Sequence, residues 1–131
     1  MILGIGTDLC EIGRIERALE RFGERFAARI LVESELQRFR RQRKGAAYLA
    51  KRFAAKEAFS KALGTGIHFP VNWHNVWVEN ASSGKPSLKF SRPLAAFLKR
   101  RGISGVHLSL SDEIGMASAF VVVEGRAVKR K

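Results

Sequence analysis

Only one cysteine, three prolines and one tyrosine occur among the 131 residues, and 12 acidic residues face 24 lysines and arginines. A single thiol, Cys10, closes no internal disulfide and builds no zinc cluster, so a reducing compartment, the cytoplasm, is expected. No apolar run approaches the roughly 18 residues of a membrane-spanning helix, and no membrane partner is expected. The start, Met1-Ile2-Leu3-Gly4-Ile5-Gly6, reaches Thr7-Asp8 with no basic residue before Arg14, which reads as a strand rather than a secretory leader. The shortage of acid leaves a formal net charge of +12, a field that attracts polyanions. Nucleic acid, an anionic membrane, a phosphorylated cofactor and an acidic protein all satisfy it. With 46% hydrophobic residues the chain can bury an ordinary core, which excludes wholesale disorder.

Neither a repeat of solenoid length nor a low-complexity linker interrupts the chain, so one domain over 1–124 with a basic tail over 125–131 is expected. Ile2 to Leu9 alternates, with Leu3, Ile5 and Leu9 on one side and Gly4, Gly6 and Asp8 on the other. From Ile12 to Ile30 the spacing turns helical: Ile12, Ile15, Leu19, Phe22 and Phe26 form one apolar stripe, with a break or kink at Gly23. Further helices are predicted from about Ser34 to Arg43 and from about Ala46 to Leu63, the latter ended by a Gly64 cap. Val76 to Val78 and Ser87 to Phe90 flank a turn-rich stretch and read as a hairpin. Ser91-Arg92-Pro93 opens a helix that Gly102 ends, and His107 to Ser111 and Ala117 to Val123 form a second hairpin. The order predicts an α+β fold with a mainly antiparallel sheet.

Chemistry concentrates on the helix ending at Gly64, where Ala50, Ala54, Glu57 and Lys61 follow at helical spacing and share a face. A carboxylate one turn before an ammonium can hold a metal on one side and a phosphate on the other. The same spacing also describes an ordinary exposed ion pair worth a few tenths of a kcal/mol. Asp8, at the end of a glycine-containing strand, either caps the following turn or faces a site. Mg²⁺ takes one or two protein carboxylates and completes its shell with water and substrate phosphates, so Asp8 and Glu57 could supply the pair. Gly64-Thr65-Gly66 has the composition of a phosphate-approach loop and equally that of a helix terminator.

Two segments carry a resemblance: Gly4-Ile5-Gly6-Thr7-Asp8-Leu9 with Glu11-Ile12 and Arg14-Ile15, and the run from Arg52 through Lys56-Glu57 and Lys61 to Gly64-Thr65-Gly66-Ile67. Together with Gly84-Lys85-Pro86 and His107 to Asp112, they resemble the holo-[acyl-carrier-protein] synthase family over nearly the whole chain. The resemblance implies a 4′-phosphopantetheinyl transferase that moves the phosphopantetheine arm of coenzyme A onto a serine of apo acyl carrier protein. Adenosine 3′,5′-bisphosphate is released, and the product supports fatty acid biosynthesis. Mg²⁺ dependence and a homotrimer with intersubunit active sites are implied as well. By the same resemblance Asp8 and Glu57 are metal ligands and Lys61 lies at the coenzyme A phosphates. Arg52 and Gly64 also contact coenzyme A, while His107, Lys85 and Pro86 approach the nucleotide from a neighbouring subunit. For the serine proton, Glu57, directly or through a metal-bound water, is the candidate base, with the water itself as the alternative. His68 departs from the Arg or Gly that relatives often carry there, and Arg126 to Lys131 extend past the usual end.

A nucleic-acid-binding protein would use the charge, notably Arg38, Arg40, Arg41, Arg43 and Lys44, but leaves Asp8, Glu57 and Lys61 idle. A structural trimer would use those residues as interface ion pairs. No nucleic acid is expected as partner. The acidic carrier protein is expected to dock on the first helix, where Arg14, Arg17, Arg21, Arg25 and Arg29 form a basic stripe beside Phe22 and the apolar face. Alternatively, those arginines pair with Glu16, Glu20 and Glu24 on a solvated helix.

Overall fold

Alternating and helical apolar spacings fold as ten elements in a computed structural model that describes residues 1–128; residues 129–131, the end of the basic tail, lie outside the described residues. In chain order these are β1 (Ile2–Glu11), α1 (Ile12–Phe22), α2 (Glu24–Ile30), α3 (Glu33–Arg40), α4 (Gly45–Leu63), β2 (Val76–Asn80), β3 (Pro86–Phe90), α5 (Arg92–Arg100), β4 (Ile103–Glu113) and β5 (Met116–Gly125). The strands form a three-stranded antiparallel sheet in the order β1-β5-β4 and a separate antiparallel hairpin, β2-β3. This is the α+β, mainly antiparallel fold that the sequence predicts. No helix among the described residues is long and apolar enough to cross a membrane. The tail begins bonded to the domain, since Gly125 N–H donates to the Met1 carbonyl and Arg126 N–H to that of Gly102.

The central helix α4 packs across β1 and β5 with most of its residues buried, among them Leu49, Ala50, Ala54, Ala55, Ala58 and Phe59. The small alanines let the sheet approach closely, and glycine on the strand side lets it approach further. A Cβ on Gly4 would sit 1.9 Å from the carbonyl oxygen of Ala62, and one on Gly6 would sit 2.0 Å from that of Ala58. The two sides of β1 are therefore reversed relative to hydropathy: the glycine side is covered by α4, and Ile5 and Leu9 stay 61% and 70% exposed. Gly23, at φ 67°, does break the first helical segment and separates α1 from α2.

A buried ion pair fixes α4 against the rest of the chain. Lys56 Nζ donates to Glu35 Oε1 at 2.7 Å, to the Ile30 carbonyl at 2.6 Å and to the Trp73 carbonyl at 2.8 Å, which uses all three ammonium protons. Glu35 in turn accepts from the backbone N–H groups of Val32 and Val78. Desolvation pushes the Lys56 pKa down, and the Glu35 carboxylate opposes that shift. The pair thus joins α2, α3 and β2 to the middle of α4, one residue before Glu57.

Because the clash at Gly6 is with backbone rather than a flexible side chain, Gly6→Ala is expected to lower stability by about 3 kcal/mol, the upper part of the overpacking range. Gly13→Ala, in α1, meets only the tip of the Arg17 side chain and should leave stability level or raise it. Urea denaturation of both variants reads the difference.

Candidate active site

The glycine contact carries β1 across α4 so that Asp8, two residues beyond Gly6, comes alongside the face that bears Glu57 and Lys61. Lys61 Nζ lies 2.9 Å from Asp8 Oδ1 and donates also to the Thr7 carbonyl at 3.1 Å. The Glu–Lys spacing along the helix is thus superseded: the lysine's carboxylate partner is 53 positions away in sequence. Asp8 caps nothing. Its side chain is only 13% exposed, and its second oxygen, Oδ2, is buried with no hydrogen-bond partner among the described residues.

Asp8 and Glu57 line one cavity of about 430 Å³, walled by Leu9, Ile15, Phe26 and Phe53, with Arg14 also lining it. Phe53 is stacked on Trp73, with 5.2 Å between ring centroids, which holds that wall rigidly next to Glu57. The half-buried Glu57 carboxyl has its pKa raised, first by desolvation and then by the Asp8 charge, with Lys61 acting in the opposite sense. Burial and the neighbouring Asp8 also push the Cys10 thiol up, so it is a packed thiol and not a nucleophile. An orphaned carboxylate oxygen and a second carboxylate destabilised by it make a site short of positive charge. A divalent cation fits that donor set: Mg²⁺ needs only one or two protein carboxylates. Among the described residues no third His, Cys, Asp or Glu joins them, so water and substrate oxygens would complete the shell.

The remaining predicted residues fall elsewhere in the single chain. Gly64 ends α4 in the left-handed conformation, φ 75°, with its N–H bonded back to Lys61. Arg52 is 4% exposed, lies over the Tyr48 ring at 4.2 Å and donates to Asn80 Oδ1 at 2.7 Å. Asn80 also bonds the Gly84 carbonyl, so Arg52 holds the turn that presents exposed Lys85 and half-buried Pro86. His107 stands on the outer face of the three-stranded sheet, Nε2 at 2.7 Å from Glu124 Oε1. None of Arg52, Lys85, Pro86 and His107 lines the Asp8 cavity. His68 is exposed and pairs with Val71 through its backbone.

Along the first two helices, Arg17 is 4.0 Å from Glu11. Arg14, Arg21, Arg25 and Arg29 have no carboxylate partner within 4.0 Å among the described residues. Pairing with Glu16, Glu20 and Glu24 does not occur there, and Glu24 pairs instead with Arg40 of α3. Arg25 and Arg29 line a second cavity of about 480 Å³ with Phe22 and Phe26. Phe26 belongs to both cavities and joins the basic stripe to the carboxylate pair. Sequence reasoning did not assign the wall residues Phe26 and Phe53 to the site. Phe26 was visible only as a member of an apolar stripe, and Phe53 lies one turn before Glu57 on the same face.

The sequence model of the 4′-phosphopantetheinyl transferase superfamily matches residues 4–114. A holo-[acyl-carrier-protein] synthase from Nitrosomonas eutropha is 53% identical over 124 residues, spanning 95% of this chain and 99% of the relative. The crystal structure of a holo-[acyl-carrier-protein] synthase from Neisseria meningitidis superimposes with a TM-score of 0.91 at 48% identity, over 95% and 99% of the two chains. A Bacillus anthracis holo-(acyl-carrier-protein) synthase, solved in complex with CoA (3′,5′-ADP), superimposes with a TM-score of 0.80 at 39% identity, over 96% of this chain and 99% of the other.

The raised pKa of Glu57 has a thermodynamic consequence. A carboxyl that binds its proton more tightly when folded adds stability that is fully present below its ordinary value near 4.5 and is lost as pH rises through the raised folded value. In the metal-free protein, wild type should therefore lose stability relative to Glu57→Gln as pH increases above 4.5. Thermal melts of the two proteins across mildly acidic pH check the sign.

Proposed function

The chain belongs to the 4′-phosphopantetheinyl transferase superfamily, and we infer that it transfers the 4′-phosphopantetheine moiety of coenzyme A to a serine of apo acyl carrier protein. The observation that carries this reading is the buried, unpartnered Asp8 Oδ2 in one cavity with Glu57, with Lys61 held at the other Asp8 oxygen. Asp8 and Glu57 would hold Mg²⁺, which when bound stabilises charge developing on the phosphoryl oxygens. The exposed Lys61 ammonium reaches a phosphate oxygen and supports the same charge. The serine hydroxyl attacks the β-phosphorus of coenzyme A, a new O–P bond forms, and the bridging P–O bond breaks to release adenosine 3′,5′-bisphosphate. Glu57 accepts the serine proton directly or through a water. Phe26, Phe53 and Ile15 form the apolar wall at this end of the cavity.

The active species in this reading is a homotrimer. Across the sheet, Ile5, Val122 and His107 stand in register, as do Thr7, Phe120 and Ser109, and all of these side chains are on the face that α4 does not cover. Exposed Ile5, Leu9 and Phe120 on one sheet face form an apolar patch of the kind that marks a protein interface. A copy packed there would bring His107 to its neighbour's nucleotide site, and Arg52, Lys85 and Pro86 would line the nucleotide path. The buried, unpaired Cys10 supports a reducing, cytoplasmic setting.

Incubation with coenzyme A, Mg²⁺ and apo acyl carrier protein should add the mass of one phosphopantetheine arm to the carrier, read by mass spectrometry. Asp8→Ala and Glu57→Ala should each abolish the transfer while circular dichroism stays unchanged; near-normal rates in both at low Mg²⁺ would remove the metal assignment. Light scattering at assay concentration should give three chains per particle, and an active monomer would contradict the intersubunit site.

The unpaired arginines of α1 and α2 form the surface on which the acidic carrier docks, with exposed Phe22 beside them. Contacts of this kind act on association rate and salt sensitivity. Changing Arg14 and Arg21 to Glu should raise the KM for carrier protein by about tenfold or more, with the KM for coenzyme A little changed. Steady-state kinetics at two ionic strengths separates the two substrates.

A further inference from the structure

Lys61 is committed to β1 before any substrate arrives. Its ammonium bonds both Asp8 Oδ1 and the Thr7 carbonyl, which occupies two of its three protons. Its side chain is nevertheless 53% exposed, so the stem is free to turn away from the strand. The carboxylate it neutralises is the one whose other oxygen is buried and unpartnered. A cation entering between Asp8 and Glu57 therefore meets a site whose negative charge is half cancelled, and it meets a like charge within hydrogen-bond distance of one of its ligands. A phosphate oxygen and Asp8 compete for the same ammonium, and whichever holds it releases the other. Arg14, the cation that lines the cavity, makes no ion pair with Asp8 within 4.0 Å and so does not serve in this way.

We propose that Lys61 is a resident counter-ion of the carboxylate pair, and that coenzyme A opens the pair to a divalent cation by drawing the ammonium onto its phosphate. The inference rests on the metal and coenzyme A reading given above and adds a coupling between the two. Binding of the phosphate relieves repulsion at the metal site, and binding of the metal frees Lys61 for the phosphate. The coupling is reciprocal, as linkage requires. It also gives an order to assembly: with Lys61 held at Asp8 Oδ1, the free enzyme binds stray cations only weakly.

The test uses Mn²⁺ as probe, with free ion counted by electron paramagnetic resonance and coenzyme A alone titrated as the blank. Without coenzyme A, Lys61→Gln should bind Mn²⁺ about tenfold or more tightly than wild type, within the usual span of such couplings, whereas Lys61→Arg, which keeps the charge, should stay weak. Coenzyme A should then tighten Mn²⁺ binding more in wild type than in Lys61→Gln. Asp8→Asn in either background should lose the site. Lys61 is exposed at the surface of α4, so these variants are expected to fold, and melting curves confirm it independently. Equal Mn²⁺ affinity of wild type and Lys61→Gln without coenzyme A would overturn the counter-ion role while leaving the metal reading intact. Absence of Mn²⁺ binding in every protein, with and without coenzyme A, would overturn both.

Discussion

Two carbonyl oxygens of α4, those of Ala58 and Ala62, occupy the space that the Cβ atoms of any residue except glycine would need at positions 6 and 4 of β1. This contact between backbones sets the height of the strand over the helix. Everything in the candidate site follows from it, because Asp8 is carried on the strand while Glu57 and Lys61 are carried on the helix. Had side chains separated the two elements, the Asp8 carboxylate would stand too far from the helix to be bonded by Lys61. The alanines of α4 serve the same end from the other side, being the smallest residues that keep high helix propensity.

Consecutive residues of α4 then divide the work of stability and chemistry. Lys56 points into the protein and is saturated by Glu35 and two carbonyls, whereas Glu57 lines the cavity, makes no ion pair within 4.0 Å among the described residues, and feels Asp8 and Lys61 in opposite senses. A buried pair of this sort contributes little net stability, but breaking it is costly, by about 3–5 kcal/mol, so it defines the rotation of α4 about its own axis more than it strengthens the fold. The unsatisfied half of the helix is the half that the proposed function uses. In the proposed reading Glu57, with Asp8 from β1, faces a cation and Lys61 an anion, and the stacked Phe53 and Trp73 hold the wall beside Glu57.

Much of this was legible from residue spacing. The predicted span of α4 from about Ala46 to Leu63, the Gly64 terminator, the break at Gly23 and both hairpins all match the observed elements within a few residues. Alternation in β1 separated its two sides but assigned no burial to either, and hydropathy points the wrong way: the glycine side is inside because it meets backbone, and Ile5 and Leu9 are outside because the single chain leaves them uncovered. The partners that give the site its electrostatics were out of reach for local patterns. Lys61 pairs with Asp8 across 53 positions and Lys56 with Glu35 across 21, and neither separation has a periodic signature. Residue chemistry and the family resemblance both proposed Asp8 and Glu57 as a ligand pair, while the orphaned oxygen and the lysine bonded to Asp8 emerged only from the fold.

The central claim is geometric: a strand held on a helix by glycine places two carboxylates on one divalent cation. Anomalous diffraction from crystals grown with Mn²⁺ and coenzyme A measures it directly. The account predicts a single strong peak in each cavity, bound by Asp8 Oδ2 and the Glu57 carboxylate and shared with a phosphate oxygen, with Lys61 turned from Asp8 toward the phosphate. A peak ligated without Asp8 or without Glu57 would contradict it.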